Sequence, residues 1–62
     1  MPYVKIELFK GRTRTQKAAV AKAFTEALVT HAGARSEDCH IVFADVERSD
    51  WAVNGKLLDG AG

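Results

Sequence analysis

Residues 3–9 read Tyr-Val-Lys-Ile-Glu-Leu-Phe, and this stretch determines the first element of the fold. Every second residue from Val4 onward is apolar, and charged residues lie between them. Neighbouring side chains of a strand point to opposite faces of a sheet, so this alternation predicts a strand with one buried face. The run ends at Lys10-Gly11-Arg12, where glycine favours a turn.

A long helix is predicted directly after this turn. Thr13 followed three residues later by Gln16 is the signature of a capping box, in which each side chain accepts from the other residue's backbone N–H. Strong helix formers continue from Arg14 to about Ala32, and Gly33 stands where a left-handed C-terminal cap is expected. One stripe of this helix, at a spacing of three to four residues, consists of Val20, Phe24, Ala27, Leu28 and His31.

The second half of the chain predicts another strand and a hairpin. Residues 39–46 are more continuously apolar than the first strand, as expected of an inner strand. Asn54-Gly55 then predicts a tight turn that pairs residues 51–53 with residues 56–58. This order of elements favours the α/β (α+β) class, with a right-handed parallel β-α-β unit in one domain over residues 1–62.

The composition excludes several classes of protein. The chain has 62 residues, of which 47% are hydrophobic and 27% charged, and its formal charge is only +1. A dedicated nucleic-acid binder carries a much larger basic excess. The first residues lack the pattern of a signal peptide, and no apolar run reaches the length of about 20 residues that spans a membrane. We therefore expect a cytoplasmic protein that binds neither nucleic acid nor membrane.

The small size predicts self-association. A chain of about 60 residues buries only about 60% of the surface that its unfolded form exposes, so a lone core is marginal. A single cysteine, Cys39, excludes an internal disulfide and a multi-cysteine zinc site. Its neighbour His40 is a poor base for it, since adjacent side chains of a strand point apart. We expect a homo-oligomer in which sheet edges pair between copies, with no metal and no cofactor.

Pro2 is the residue with the most unusual chemistry. It is the only proline, and it leads directly into the first strand. If Met1 is removed, Pro2 presents a secondary amine at the end of a rigid element. Ordinary α-amino groups have a pKa of about 7.7–8.0, and desolvation or a nearby cation lowers it further. Pro2 is therefore a candidate general base near neutral pH.

These features together resemble the 4-oxalocrotonate tautomerase family of very small proteins. They are Pro2 at the start of a strand, Gly11-Arg12 before a capped helix, and Trp51 before a glycine-containing hairpin. The resemblance extends over residues 2–58. It implies a β-α-β protomer that assembles as a hexamer (a trimer of dimers), a small carboxylic acid as substrate, and a place in the catabolism of aromatic hydrocarbons.

The resemblance also implies roles for individual residues. Pro2 would be the base that moves a proton between carbons of an enol or unconjugated keto acid. Arg12 would bind a substrate carboxylate, and Trp51 would be an apolar wall that keeps the amine desolvated. Two alternatives stay open from the residues themselves: Arg12 as a solvated turn residue, and Trp51 as an anchor of the hairpin or of an interface.

His40 is a departure from the family pattern. It aligns with the second active-site arginine of the family, which arrives from a neighbouring subunit and holds the carbonyl-side end of the substrate. A histidine is shorter and only fractionally charged near neutral pH, so it predicts a weaker hold on a dicarboxylate. Arg35 and Arg48 are the spare cations nearby in the sequence.

Two further functions are consistent with the same sequence. One keeps Pro2 but uses it to hydrate, dehalogenate or decarboxylate an unsaturated acid. This chemistry needs a second group to activate water, and the candidates are Glu7, Asp45 and His40. The other is an oligomeric interaction domain without catalysis, which the histidine at position 40 favours.

Overall fold

The computed structural model describes residues 1–60 and confirms the predicted fold class and order of elements. Short 3-10 turns at Ser36–Asp38 and Arg48–Asp50 lie on either side of the second strand. The predicted single domain of 1–62 extends two residues beyond the described part and stays a prediction. The strands and the helix are β1 (Tyr3–Phe9), α1 (Arg14–Ala32), β2 (His40–Val46), β3 (Ala52–Val53) and β4 (Lys56–Leu57).

β1 and β2 form a parallel two-stranded sheet, as the β-α-β prediction requires. The register runs from Tyr3 opposite His40 to Phe9 opposite Val46, so β2 begins one residue later than predicted. α1 covers one face of this sheet. We call the other side the bare face; by the alternation of the strands it carries Tyr3, Lys5, Glu7 and Phe9 of β1 and His40, Val42, Ala44 and Val46 of β2.

The predicted ends of α1 are confirmed in detail. The Thr13 N–H donates to Gln16 Oε1 at 2.8 Å, and the Gln16 N–H donates to Thr13 Oγ1 at 3.1 Å. Gly33 adopts the left-handed conformation (φ 68°), and its N–H donates to the Leu28 carbonyl. The hairpin is also confirmed: Asn54 and Gly55 both have positive φ, and β3 pairs antiparallel with β4.

The half-buried side of α1 is not the stripe singled out in the sequence. The half-buried side chains of the helix are Lys17, Ala21, Thr25 and Leu28, of which only Leu28 belongs to that stripe. Lys17 reaches across to β2, where its Nζ lies 2.9 Å from Asp45 Oδ2. The stripe that contains Val20 and Phe24 lies about a quarter turn around the helix axis from this half-buried side. Phe24 is 43% exposed there.

A single copy of the chain has no fully buried core. None of the residues in the described part is buried, and Tyr3 and Val42 on the bare face are 57% and 40% exposed. The radius of gyration is 14.9 Å, whereas a compact chain of this length would have about 11 Å. The apolar surface of the helix stripe and the bare face therefore lacks cover within one chain. As to membranes, α1 is too polar to span one, and residues 1–60 contain no other helix long enough.

Candidate functional site

Pro2 lies at the N-terminal end of β1 and is half-buried. Its carbonyl accepts a hydrogen bond of 3.0 Å from the His40 N–H, which extends the β1–β2 ladder by one step. The nitrogen of Pro2 is joined to Met1, whose side chain is 82% exposed. The proline is thus fixed through its carbonyl, while the bond that would have to be cut to free its amine lies at the surface.

His40 begins β2 and is exposed. Only its backbone N–H bonds to Pro2. In the strand register His40 shares the bare face with Tyr3, whereas Pro2 belongs by alternation to the helix-covered side. Within one chain the imidazole is therefore turned away from the proline.

Arg12 lies in the turn between β1 and α1, at the opposite end of the strand. It is exposed, and its Nη1 donates to the carbonyl oxygen of Phe9 at 3.2 Å. Because Lys10 N–H bonds to Val46 of β2, the alternation of the strand points the Phe9 carbonyl to the outer edge of β1. The guanidinium is thus held beside this edge, next to the capped start of the helix.

Trp51 packs against the same phenylalanine. The ring centroids of Trp51 and Phe9 are 4.7 Å apart and the rings are inclined by 54°, an arrangement typical of favourable aromatic pairs. The Trp51 carbonyl also accepts from the Leu58 N–H at 2.9 Å, which continues the hairpin. Trp51 is therefore an anchor of the hairpin as well as an apolar surface at the end of β1.

Sequence reasoning assigned no role to Phe9 and left Arg48 as a spare cation. Arg48 Cζ lies 4.2 Å from the centroid of the Phe9 ring, in cation–π geometry. Phe9 is therefore contacted by Trp51, Arg12 and Arg48 at once. The signal in the sequence was the pair Leu8-Phe9, where two apolar residues in succession break the alternation and place an aromatic ring on the otherwise polar side of β1.

The remaining candidate residues from the sequence are Arg35, Asp45 and Glu7. Arg35 forms an ion pair of 2.7 Å with Glu37, and a backbone hydrogen bond together with this contact holds the pKa of Glu37 below its usual range. Asp45 is paired with Lys17 on the helix-covered face, away from the aromatic pair. Glu7 lines a cleft of about 320 Å³ on the bare face, together with Val46, Asp50, Trp51 and Ala52.

The predicted site residues fall into two groups separated by the length of β1. Pro2 and the backbone of His40 lie at one end, and Arg12 and Trp51 meet at Phe9 at the other. Seven strand residues at about 3.3 Å each separate the two groups by roughly 23 Å. A small acid cannot contact both groups of one chain. No group of three or more potential metal ligands is found within residues 1–60.

Known proteins resemble this chain along nearly its whole length. The profile of the Tautomerase enzyme family matches residues 2–60. A probable tautomerase of Lactococcus lactis is 52% identical over 57 residues, which cover 92% of this chain and 93% of that protein. A 4-oxalocrotonate tautomerase isozyme of Methylibium petroleiphilum is 33% identical and superposes with a TM-score of 0.88, with 98% of each chain covered.

A further solved structure shares the fold at lower sequence identity. The 4-oxalocrotonate tautomerase of Chloroflexus aurantiacus, described as a heterohexamer, has a TM-score of 0.89 with the whole of both chains covered. Its sequence is only 22% identical, so this likeness concerns the fold alone.

Proposed function

Because this chain belongs to the tautomerase family, among the relatives of 4-oxalocrotonate tautomerase, we propose that it isomerises an unsaturated 2-oxo or 2-hydroxy acid through Pro2. Removal of Met1 frees a secondary amine, which takes a proton from one carbon or enol oxygen and returns it to another carbon. The observation that carries the proposal is a half-buried proline fixed at the start of a paired strand. No cofactor is needed for such a transfer, since one group serves as base and then as acid.

The environment of Pro2 supports this role. An ordinary α-amino group has a pKa of about 7.7–8.0, and partial burial disfavours its charged form. The bond from the His40 N–H fixes the proline carbonyl, so the amine has little freedom to turn away from a bound substrate. A rigid, partly desolvated amine of this kind is available as a base near neutral pH.

Arg12 and Trp51 form the proposed subsite for a substrate carboxylate. An arginine presents two parallel N–H donors that match the two oxygens of a carboxylate. The Trp51 ring beside it, held by Phe9, supplies an apolar surface for the unsaturated carbon chain. His40 is proposed to donate a hydrogen bond to the carbonyl-side end of a substrate in a neighbouring copy's site.

A second copy of the chain would complete this site. Both outer edges of the β1–β2 sheet are unpaired within one chain. Two copies related by a two-fold axis pair their edges antiparallel, and this brings the Pro2 end of one β1 toward the Arg12 end of the other. We propose a homo-oligomer built on such pairs, most simply a hexamer that also covers the exposed stripe of α1 around Phe24. Sedimentation at micromolar concentration should find no folded monomer.

The proposed base is tested by blocking its amine. A cleavable extension fused directly to Pro2 should give a chain with no measurable ketonisation of an enolised 2-oxo acid, and cleavage should restore turnover. Mass spectrometry identifies the N-terminal residue in each sample, and sedimentation checks that the fusion still assembles. The same extension placed at the C-terminus is the control. Equal turnover before and after cleavage would exclude Pro2 as the base.

One observation favours a second candidate function. Glu7 and Asp50 line the cleft beside Trp51, where a carboxylate could activate water for addition to an unsaturated acid. Glu7→Gln should then abolish hydration while leaving ketonisation intact. If the wild-type protein forms no hydrated product from an unsaturated acid, this candidate is excluded.

A further inference from the structure

Lys5 and Glu7 are the charged side chains that β1 places on the bare face. Both residues are exposed, and neither side chain forms a hydrogen bond or an ion pair within residues 1–60. Their neighbours across the sheet are Val42 and Ala44, so β2 offers no polar partner to either charge. A second copy that covers this face must therefore supply both partners, because burying an unpaired charge is costly.

The outer edge of β1 limits how a second copy can pair with it. The Pro2 carbonyl and the Lys10 N–H both bond to β2, so the even-numbered residues of β1 direct their backbone polar groups toward β2. The backbone groups of the odd-numbered residues therefore point outward. Residues that exchange hydrogen bonds in an antiparallel pair lie directly opposite each other. Two β1 strands can thus pair only with odd-numbered residues opposite one another, and their register changes in steps of two residues.

Three registers near the middle of β1 satisfy this condition, and only one of them matches the charges. With the two-fold axis at Ile6, Lys5 of each copy lies opposite Glu7 of the other. With the axis at Lys5 or at Glu7, that residue lies opposite its own counterpart. Opposite charges directly across two strands stabilise the pair, whereas like charges destabilise it. The axis at Ile6 also places Tyr3 opposite Phe9 of the other copy, which is a favourable aromatic pair.

The surroundings of Glu7 suit a lysine from another copy. Glu7 lines the cleft of about 320 Å³ beside Trp51 together with a second carboxylate, Asp50. The remaining lining residues, Val46 and Ala52, are apolar like Trp51, and no lysine or arginine lines this cleft. An ammonium group that enters the cleft therefore meets two carboxylates and displaces no cation of the chain.

We propose that Lys5 and Glu7 set the register in which two copies of this chain join, through two reciprocal ion pairs on either side of a two-fold axis at Ile6. The partner that this pattern fits is a second copy, since the charges at positions 5 and 7 are complementary to themselves under a two-fold rotation. The inference rests on the self-association within the proposed function, which leaves the register of the two strands open. It concerns assembly and needs no proton transfer.

This register also positions the proposed site. Pro2 lies opposite Lys10 of the other copy, and Arg12 of that copy follows two residues later, at most roughly 7 Å further along the chain. Sliding to the register centred on Lys5 would double that separation. The two charged residues are thus positioning residues, which bring the base and the arginine of different copies within reach of one small acid.

Reversed charges test the register without any catalysis. Lys5→Glu places like charges opposite each other twice in every pair, and so does Glu7→Lys, so each variant alone should pair about 10-fold or more weakly than the wild type. When equal amounts of the two variants are refolded together, each Lys5→Glu chain finds opposite charges on a Glu7→Lys chain. Native mass spectrometry, with one variant labelled with ¹⁵N, should find equal numbers of the two chains in about three quarters of the assemblies or more. Random pairing gives about one half for dimers and about one third for hexamers.

Matched variants separate this effect from general charge and from misfolding. The double variant Lys5→Glu, Glu7→Lys should pair with itself as the wild type does, but not with the wild type. Lys22→Glu reverses a charge on an exposed part of α1 and should mix at random with the wild type. Glu7→Gln creates no like charges and keeps an acceptor for the lysine, so it should pair more tightly than Glu7→Lys and in the wild-type register.

The outcomes of the mixing experiment are distinct. A variant that folds only in the presence of its complement supports the proposal. The proposal is overturned if the mixture of reversed variants gives the random distribution or no assembly, or if each variant alone assembles as Lys22→Glu does. Pro2→Ala should not alter the sorting, so failure of the Pro2 mechanism leaves this result as it is, and a monomeric wild type would overturn the self-association itself.

Discussion

The two ends of β1 are built differently within one chain. At the Arg12 end, a capping box, an aromatic pair, a cation–π contact and a hairpin all converge on a few residues around Phe9. At the Pro2 end, a single backbone hydrogen bond to His40 holds the chain, and the neighbouring Tyr3 is 57% exposed. The Arg12 end is thus organised by contacts within the chain, whereas the end that carries the proposed base has few contacts within one copy. We call the Arg12 end the organised end.

Under the proposed function, this difference would leave the site of an isolated chain incomplete. A base is effective only when water is excluded and the substrate is oriented toward it. In one copy Pro2 is only half-buried, and roughly 23 Å of strand separates it from the arginine that would orient the acid. In the antiparallel pair of copies proposed above, the organised end of one chain would meet the open end of the other.

The largest expected effect comes from mixing two inactive variants. Pro2→Ala should lower kcat/KM about 100-fold or more, since a positioned base contributes 10²–10⁴-fold, and Arg12→Ala should also be strongly impaired. When equal amounts of the two variants are unfolded and refolded together, half of the dimeric pairs contain one chain of each variant. In each such pair, one of the two sites combines the intact Pro2 of one chain with the intact Arg12 of the other. Activity should therefore return to about one quarter of the wild-type value.

The control for this complementation carries both changes in one chain. Pro2→Ala mixed with the double variant Pro2→Ala, Arg12→Ala contains no intact proline and should stay inactive. If the first mixture shows only the average activity of its two components, then Pro2 and Arg12 of different copies do not share a site, and the two ends of β1 act separately.

The second effect concerns Arg12 alone. Replacing it with alanine removes a charge-assisted contact worth about 1.5–3 kcal/mol, so kcat/KM for a carboxylate substrate should fall roughly 10- to 150-fold, chiefly through KM. Steady-state kinetics on an enolised 2-oxo acid measure this. Arg14→Ala, an exposed arginine two residues further on, is the matched control. Equal kinetics for the two variants would reduce Arg12 to a residue that only closes the turn at Phe9.

The features that the sequence predicted correctly are local ones, and they lie at both ends of β1. Thr13 with Gln16, Gly33, and Asn54-Gly55 each specify local backbone geometry through their own side chains or through their tolerance of positive φ, so a single sequence was enough to locate both caps and the hairpin. The strand alternation around Val4 is equally local. These features depend on residues a few positions apart, which is why they were predicted correctly.

Other features depend on partners that no local pattern specifies. The stripe around Phe24 is bulky and apolar, yet it stays exposed, whereas the smaller Ala21 and Thr25 are half-buried. In a self-associating chain the most apolar stripe need not be the one that covers its own sheet. The contacts of Phe9 with Trp51 and Arg48 join residues about 40 positions apart, and only the chain's tertiary structure brings them together.

A smaller effect tests how much the organised end depends on its cap. Thr13→Ala removes the side-chain acceptor of the Gln16 N–H next to Arg12. Losing an N-cap of this kind costs about 1 kcal/mol, so the thermal midpoint should fall while turnover at 25 °C stays within about twofold. Differential scanning calorimetry and kinetics on the same sample measure both. A large fall in turnover without a fall in stability would mean that the cap positions Arg12 directly.

The smallest expected effect concerns pH and whether His40 or the spare cation Arg48 binds a second carboxylate of the substrate. An arginine stays charged throughout the accessible range, whereas an ordinary imidazole gains its proton as the pH falls through about 6.5. Adipate and hexanoate have chains of equal length and differ by one carboxylate. If Arg48 holds the second carboxylate, the ratio of adipate to hexanoate affinity should change less than about twofold between pH 8 and pH 6. His40→Arg should then leave that ratio equally flat, because in this arrangement residue 40 contacts neither carboxylate of adipate. Trp51 fluorescence titrations at each pH measure the two affinities. Their ratio cancels the effect of any protonation that changes both affinities equally. The opposite result is an adipate preference that rises steeply on acidification in the wild type and is large and independent of pH in His40→Arg. It would mean that residue 40, at the Pro2 end of β1, binds the second carboxylate in place of Arg48.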